Sequence, residues 1–573
     1  MRSVVMGTWL IALFLVAFGP QGTLPSVEAA DSSAVGLQPP LQRSMQDVNT
    51  TDLRKAIVLG CRTMQNTFDA DDNGVPFFGS TVFPGTPGFS FSGWHSEAHV
   101  PGRHLNALLN AEDAAGVEID PAAVEKHRRA ALLSYSGVVP LPLNRQSVGG
   151  PLVNFCPHNI REGFHALAAL VQYRGDEKAR ELAEQSIQAV MRFWDPQKGW
   201  DVEQTRKLGL TYLECQGFIH GEGRMIGPLV KYYQATGHAP ALELALRLKE
   251  KAVGEFYLED GDYTKERFVT THAHSITCVL SSLAQLADLL HDAALLDRVK
   301  RFYDHGLWKL RDEIGWSPES VFQQGTDHGE VNNSGDILET ALILGRWGYP
   351  EYYHDAERML RCHILPCQLR DVSFIQDAPN PEGRDSRRNV ADRHLGAFGF
   401  PAPYGHQSVG RGRGAVSFNL DIVGGAVGSL DAAYREVTRF EKTGHWVNLL
   451  FDHRTESIEV KSPYTHDGLE VVLHKPGPLW VRIPPWVDRK EVRIEGADAQ
   501  PQWHGAYLFL AQVPAEKPVA VRFPLKAQEL TLSERVHVHP IRVQMRGDSV
   551  VAMENFGADL IYFPPYAGPT QNR

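Results

Sequence analysis

The segment HNIREGFHALAALVQYRGDEKARELAEQSIQAVMRF, residues 158–193, decides the fold of this chain. Its first half carries apolar side chains at Ile160, Phe164 and Leu167, a spacing that is typical of a helix with one buried face. A glycine-aspartate pair follows at 175–176, and a second helical pattern begins at once. Glycine at that junction suits a helix C-cap, and so short a connection makes the two helices antiparallel. The segment therefore predicts a helical hairpin.

The same pattern, a histidine followed by small or polar residues and an apolar-periodic helix, begins five times. The starts are His99, His158, His220, His272 and His328, so neighbouring starts lie 52 to 62 residues apart. A sixth helix start, at Asp421, lacks the histidine. This period is the length of a helical hairpin with its connections. Six hairpins predict an (α/α)6 barrel, a closed toroid with the starts of the repeated helices around one mouth, where we expect the functional site.

After about residue 436 the apolar pattern changes from a period of 3.6 to a period of 2. Segments such as SIEVKS (457–462) and AYLFLAQV (506–513) alternate apolar and polar residues between turns rich in glycine and proline. Short strands at this spacing predict an antiparallel β-sandwich. We therefore expect a barrel domain over residues 30–435 and a C-terminal β-sandwich domain over residues 436–573.

Residues 1–29 are expected to be a signal peptide, with an apolar stretch after Arg2 and a small-residue cleavage site ending at Ala29. That stretch is short for a membrane span, so we expect a secreted or periplasmic protein without membrane insertion. The net charge is −11 and charges of both signs are interspersed, which argues against a nucleic-acid partner. Six cysteines are too few for a disulfide scaffold. Cys362 and Cys367 are close enough in sequence to pair, with buried free thiols as the favoured alternative.

Two segments resemble glycoside hydrolase family 127, the β-L-arabinofuranosidase group. One is LWVRIPPWVDRKEVRIEGADAQPQWHGAYLFLAQVPAEKPVAVRFPL (479–525), followed by MRGDSVVAMEN (545–555). The other is GEVNNSGDILETALILGRWGYPEYYHDAERMLRCHILP (329–366), which is similar to a helical hairpin of that group. The resemblance covers the chain from about residue 50 onward, and it implies a six-hairpin barrel followed by a β-sandwich.

Members of that family hold a zinc ion with one glutamate and three cysteines, one of which is the nucleophile. The resemblance places their glutamate on Glu330, the first cysteine on Asn332 and the paired cysteines near Gly424-Gly425. None of the six cysteines of this chain falls on those positions. We therefore expect no metal and no cofactor, and we expect carboxylates or histidines to carry any catalysis.

Glycosidic cleavage uses a general acid together with a base or nucleophile, usually two carboxyl groups. Six carboxylates lie at helix starts: Glu162, Glu222, Asp327, Glu330, Asp336 and Asp421. Each also has a plain interpretation as a helix cap. Glu222 and Glu330 are favoured because each follows a His-Gly pair. The candidate catalytic residues are therefore Glu330, Glu222, Asp336 and His328.

Histidines at the helix starts suit hydrogen bonding to sugar hydroxyls, although a lone histidine is more often structural. A long loop, residues 371–414, is rich in arginine and is expected to cover the mouth and to clamp an acidic sugar, with solvated charge as the alternative. The candidate substrate-binding residues are His158, His220, His272, His274, Asn332, Arg224 and Arg388.

The sequence thus predicts a secreted exo-type glycoside hydrolase, with plant or algal oligosaccharides or polysaccharides as partners. Two alternatives stay open. One is a polysaccharide lyase or unsaturated-uronide hydrolase acting on acidic sugars, and the other is a carbohydrate-binding protein without activity. The sequence leaves the oligomeric state undetermined.

Overall fold

The computed structural model describes residues 42–83, 86–321, 328–407, 416–497, 500–532 and 534–568. The expected signal peptide and the candidate Asp327 lie outside these residues. Within them, twelve helices of ten or more residues alternate between two layers. They are α1 (Leu53–Met64), α2 (Val100–Ala115), α3 (Pro121–Ser134), α4 (Ile160–Arg174), α5 (Glu177–Phe193), α6 (Ile226–Thr236), α7 (Ala239–Lys251), α8 (Ala273–Leu290), α9 (Ala293–Asp304), α10 (Val331–Arg346), α11 (Pro350–Met359) and α12 (Asp421–Glu436).

The even-numbered helices form a closed ring. Each of α2, α4, α6, α8 and α10 packs against the next even-numbered helix, and α12 packs against α2. The odd-numbered helices α3, α5, α7, α9 and α11 pack outside the ring helix that precedes them, and α1 packs on α12. Helix α8 is long and apolar enough to cross a membrane by composition, but 78% of it is buried inside the protein, which is typical of a core helix.

The hairpin that decides the fold shows how the sequence ends and restarts its helices. Gly175 closes α4 in the left-handed conformation, with φ of 60°. Asp176 then caps α5 by accepting a hydrogen bond from the N–H of Ala179. Because glycine adopts positive φ without strain, the chain reverses within two residues, as the sequence predicts.

Two ring helices approach each other unusually closely at Gly102. A Cβ atom added to this residue would lie 1.6 Å from the carbonyl oxygen of Glu162 in α4. Only glycine fits there, so α2 and α4 are in backbone contact at the level of their first turns.

The C-terminal part begins at Thr438, directly after α12. Its strands are β1 (Thr438–Glu441), β2 (Gly444–Val447), β3 (His453–Arg454), β4 (Ile458–Lys461), β5 (Leu469–Leu473), β6 (Gly477–Arg482), β7 (Arg493–Glu495), β8 (Gln502–His504), β9 (Tyr507–Val513), β10 (Pro518–Arg522), β11 (Ala527–Leu532), β12 (Ile541–Arg546) and β13 (Ser549–Met553). They form sheets ordered β1-β2-β6-β9-β8, β3-β4-β5-β10-β7 and β11-β12-β13.

The two five-stranded sheets share one apolar core. Val447 and Leu508 of the first sheet belong to the same buried cluster as Val460 and Val519 of the second. The predicted mixture of helices and antiparallel sheets is therefore confirmed. The expectation of purely antiparallel pairing is wrong at one place, because β2 and β6 run parallel. Between them the chain crosses to the second sheet and returns in the same direction.

A buried ionic cluster joins the sheets to the helical ring. Glu357 of α11 accepts a hydrogen bond from Arg361 Nε at 2.9 Å and one from the backbone N–H of Leu450 at 3.1 Å, and it also pairs with Arg482. The guanidinium of Arg361 lies between the rings of Phe451 and Tyr464, 3.8 and 3.7 Å from their centroids. Charge and cation–π contacts thus connect the two parts.

Shorter elements fill the connections. The strands are Arg43–Ser44, Phe68–Asp69, Val75–Pro76, Gly79–Phe83, Gly88–Ser90, Leu143–Arg145, Leu152–Phe155, Trp194–Asp195, Gly199–Trp200, Thr211–Tyr212, Val416–Asn419 and Leu560–Ile561, and the helical turns include Val202–Lys207, Gly217–His220, Glu222–Met225, Lys265–Phe268 and Val390–Arg393. All six cysteines are free, with Cys362 donating to the carbonyl oxygen of Asp548 at 3.0 Å.

Candidate functional site

A cavity of about 390 Å³ lies where the first turns of the ring helices converge. Every ring helix contributes to its wall a residue at or shortly before its start. In chain order these are His99, His158, His220, His272, Glu330 and Asp421. The remaining wall residues are Phe78, Trp94, His95, Arg103, Cys156, Glu214, Cys215, Gln216, Thr271, Glu319, Phe400, Asn419 and Ile422.

Glu330 is positioned by hydrogen bonds from two neighbouring side chains. Asn332 Nδ2 donates to Glu330 Oε1 at 2.9 Å, and His272 Nε2 lies 3.2 Å from Glu330 Oε2. Glu330 is the residue before α10, but its side chain makes no capping hydrogen bond to that helix. The interpretation of Glu330 as a plain helix cap is therefore wrong, and its carboxylate faces the cavity instead.

Asp421, at the start of α12, is the second buried carboxylate of the cavity wall. His99 Nε2 lies 3.2 Å from Asp421 Oδ2, and Arg103 Nε lies 3.5 Å from the same oxygen. Burial opposes ionisation, but the Arg103 charge and the His99 hydrogen bond together hold the pKa of Asp421 well below its usual range. Asp421 is therefore a carboxylate at neutral pH.

The floor of the cavity is a buried ionic cluster centred on Glu162. Three guanidinium groups donate to its Oε1 atom: Arg224 at 2.6 Å, Arg161 at 2.9 Å and Arg103 at 3.2 Å. Glu162 and Arg224 are completely buried. Glu162 therefore has a structural role in the floor, because a buried charge is stable only when it is paired.

Asp336 lies beneath this floor, one turn into α10. Its Oδ2 atom accepts a hydrogen bond from Thr277 Oγ1 at 2.9 Å, and His274 Nε2 lies 3.2 Å from the same oxygen. Burial raises the pKa of Asp336 to about 7. Neither Asp336 nor His274 belongs to the wall of the cavity.

Burial lowers the pKa of several cavity histidines. The pKa of His158 falls well below its usual value because of burial and the Arg224 charge, and that of His95 falls to about 3 because of burial and the nearby His99. These rings are neutral at physiological pH. Each ring therefore has one N–H donor and one acceptor, and His158 uses both nitrogens for contacts with His220 and Arg224.

Among the described residues, three groups of side chains are close enough together to be considered as metal ligands: His158 with His220 and His272, His272 with His274 and Glu330, and His274 with Cys278 and Asp336. Most of their nitrogens already have hydrogen-bond partners. His220 Nδ1 accepts from the N–H of Gln216 at 2.9 Å, and Arg224 lies 2.6 Å from His158 Nε2. His272 bonds Ser275 and Glu330 through its two nitrogens. A ligand must offer a free lone pair, so these groups suit a metal poorly.

Besides Asp336 and His274, four further candidates of the sequence analysis lie outside the cavity wall. Glu222 is buried but not in the wall, because the helical turn Glu222–Met225 redirects the chain directly after Gly221. His328 stacks behind Phe400, with ring centroids 4.4 Å apart. Arg224 belongs to the floor. Arg388 is 54% exposed and pairs with Asp385 on the surface, so its charge is satisfied away from the cavity.

The structure also brings in wall residues that the sequence analysis missed, among them Glu214, Glu319 and Phe400. Glu319 reaches the mouth through a bridge between Pro318 and Gly329, which places its loop beside the start of α10. No helical periodicity marks these positions. Phe400 belongs to the 371–414 loop, so part of that loop does reach the mouth as expected.

No protein-family model and no curated protein matches this sequence. Solved structures do match the fold. A β-arabinofuranosidase of glycoside hydrolase family 127 superposes with a TM-score of 0.53 at 14% identity, covering 87% of this chain and 78% of that one. A family 127 β-L-arabinofuranosidase from Geobacillus stearothermophilus T6 gives a TM-score of 0.50 at 13% identity, covering 87% of this chain and 80% of that one. The resemblance seen in the sequence is thereby confirmed, and the chain has the fold of these enzymes.

Proposed function

We propose that this protein is an exo-acting glycoside hydrolase that works in the cavity at the mouth of the helical ring. The observation that carries the proposal is the pair of buried carboxylates, Glu330 and Asp421, on adjacent ring helices at one cavity. Glycosidic hydrolysis uses such a pair. The closed floor beneath them supports exo action, because a chain can enter only by its end.

The two carboxylates replace the pair that the sequence favours. Glu330 stays, and Asp421 takes the place of Glu222. Since Asp421 is held ionised, it serves as the base or nucleophile. Glu330, oriented by Asn332 and His272, serves as its partner across the bound sugar.

The charges of the wall favour a neutral sugar. Among the described residues, four carboxylates line the cavity, Glu214, Glu319, Glu330 and Asp421, against a single arginine, Arg103. That arginine already pairs with Glu162 and Asp421. A uronate would meet net repulsion here, so the acidic-sugar alternatives lose their support. Trp94, with 45% of its surface exposed at the wall, offers a ring for stacking a neutral sugar.

The proposal includes finer features of the chain. We propose that the ring with its outer helices is an (α/α)6 barrel, and that the two five-stranded sheets form a β-sandwich domain. We further propose that residues 1–29 direct export and that the substrate is a plant or algal oligosaccharide.

The test is a screen of the full chain on neutral and uronate-containing oligosaccharides, with products identified by mass spectrometry. Release of a single neutral monosaccharide is expected. Glu330→Gln and Asp421→Asn should each lower kcat by at least about a hundredfold. Glu222→Gln, a buried carboxylate outside the wall, is the matched control and should retain turnover. An unsaturated, ultraviolet-absorbing product would indicate a lyase, and sugar binding without turnover would indicate a binding protein.

A further inference from the structure

The positions that the family resemblance assigns to zinc ligands lie together in this structure. Asn332 donates to Glu330, and a Cβ atom added to Gly425 would lie 2.0 Å from Asn332 Oδ1. The same Cβ would lie 2.9 Å from Arg103 Nη1. The amide and the guanidinium thus fill the space that a side chain at 425 would occupy.

These residues do not fit a zinc ion. Zinc takes thiolate, imidazole or carboxylate ligands, whereas of the assigned positions only Glu330 offers one, beside a neutral amide and a cation. The amide nitrogen of Asn332 already donates to Glu330. A divalent cation beside Arg103 would also meet charge repulsion that no thiolate offsets.

Arg103 is held in a fixed position. Its Nη2 atom lies 3.2 Å from Glu162 Oε1, its Nε atom lies 3.5 Å from Asp421 Oδ2, and His274 lies 3.3 Å from Nη2. The α2 backbone at Arg103 packs directly against Gly424, where an added Cβ would come within 2.8 Å. Only 4% of the arginine is exposed, and the residue lines both this cavity and a smaller one beside Asn332 and Gly425.

This guanidinium has unused donor capacity. Neither Arg103 Nε nor Arg103 Nη1 has a hydrogen-bond partner within the described parts of the chain, and neither does Asn332 Oδ1. A buried donor without a partner is costly, so such groups usually meet a ligand or an ordered water. The guanidinium is therefore not fully paired by the protein, and it lies at the cavity wall.

We propose that Arg103 is the fixed cation of this site in place of a metal ion, and that its guanidinium group, as part of the cavity wall, binds an oxygen of the bound sugar. The second half of this proposal rests on the proposed function, and the first half does not. Arg103 is thereby a substrate-binding residue, and the protein is independent of metal.

Two measurements test the proposal. First, the wild-type full chain is incubated with zinc chloride, desalted, and analysed for zinc, and its melting temperature is compared with and without EDTA. We expect far less than one zinc per chain and an unchanged melting temperature. About one zinc per chain together with a lower melting temperature after chelation would overturn the first half, whether or not the protein has activity.

Second, binding of the product monosaccharide is measured by calorimetry for wild type, Arg103→Ala and Arg103→Lys. Arg103→Ala should weaken binding by at least about tenfold, guanidinium chloride at millimolar concentration should restore part of it, and Arg103→Lys should lie between. Equal affinity of Arg103→Ala and wild type would refute the contact. If wild type binds no sugar at all, the proposed function fails, while the zinc measurement still decides the identity of the cation.

Discussion

Arg224 donates to Glu162 across 2.6 Å, and neither side chain has any surface exposed to solvent. The two residues lie on consecutive hairpins, so their ion pair joins neighbouring sectors of the helical ring. Arg103 and Arg161 share the same acceptor oxygen. One carboxylate is therefore the common acceptor of a floor to which three helix starts contribute.

Replacing Glu162 with alanine should destabilise the protein by about 3 to 5 kcal/mol, because it leaves buried guanidinium groups without their common acceptor. Urea denaturation followed by circular dichroism measures the free energy of unfolding. Glu177→Ala, whose side chain is 82% exposed, is the control and should change stability by less than about 0.5 kcal/mol. A loss below about 1 kcal/mol in Glu162→Ala would contradict the role of the floor.

Glu222 should make the stability of the protein fall as the pH rises. Burial raises its pKa from 4.5 to about 7, so between these values the folded protein holds a proton that the unfolded chain has released. The favourable contribution is complete below pH 4.5 and is lost as the pH passes 7. Glu222→Gln should therefore gain about 1 to 3 kcal/mol relative to wild type on going from pH 5 to pH 8. Parallel denaturation series at the two pH values test this, with the surface variant Glu118→Gln expected to follow wild type.

Glu357→Gln should destabilise the protein by about 3 kcal/mol or more, because Arg361 and Arg482 lose their buried counter-charge. Glu351→Gln, on the exposed side of the same helix, should behave like wild type. Calorimetric melting is the measurement. If both variants have the melting temperature of wild type, the cluster does not stabilise the junction between the ring and the sheets.

The 371–414 loop should contribute to substrate binding through Phe400 and not through Arg388. Phe400→Ala removes an apolar part of the wall and should raise KM by about tenfold, which corresponds to about 1.4 kcal/mol. Arg388→Ala should leave KM unchanged for every substrate. Steady-state kinetics on the best substrate of the screen measures both, and a selective loss on acidic sugars in Arg388→Ala would restore the clamp hypothesis.

Much of the fold could be predicted because its signals are local. Apolar spacing within each helix, and glycine or aspartate at each reversal, determine the hairpins, as at Gly175 and Asp176. The histidine starts also pointed to the mouth, since helices that repeat in one direction present their starts together. The parallel pairing of β2 with β6 was beyond prediction, because it depends on where the chain crosses between sheets.

The candidate site was predicted less completely, because its contacts join distant parts of the chain. Whether Glu222 faces the cavity depends on the direction of the turn after Gly221, which the residue pattern does not encode. Glu319 arrives from a loop, without any periodicity. The sequence made Arg224 a substrate-binding candidate, and only packing shows that it pairs with Glu162 in the floor.

The contact between Gly102 and the carbonyl of Glu162 has a consequence for how this scaffold can be redesigned. Because α2 and α4 already touch through their backbones, these two helices cannot move closer together. One methyl group added at Gly102 would push them apart. The spacing of these two helices is therefore fixed at Gly102. A version that accepts bulkier glycans is better sought by grafting or shortening the loops that carry Trp94 and Phe400 than by substitution at Gly102.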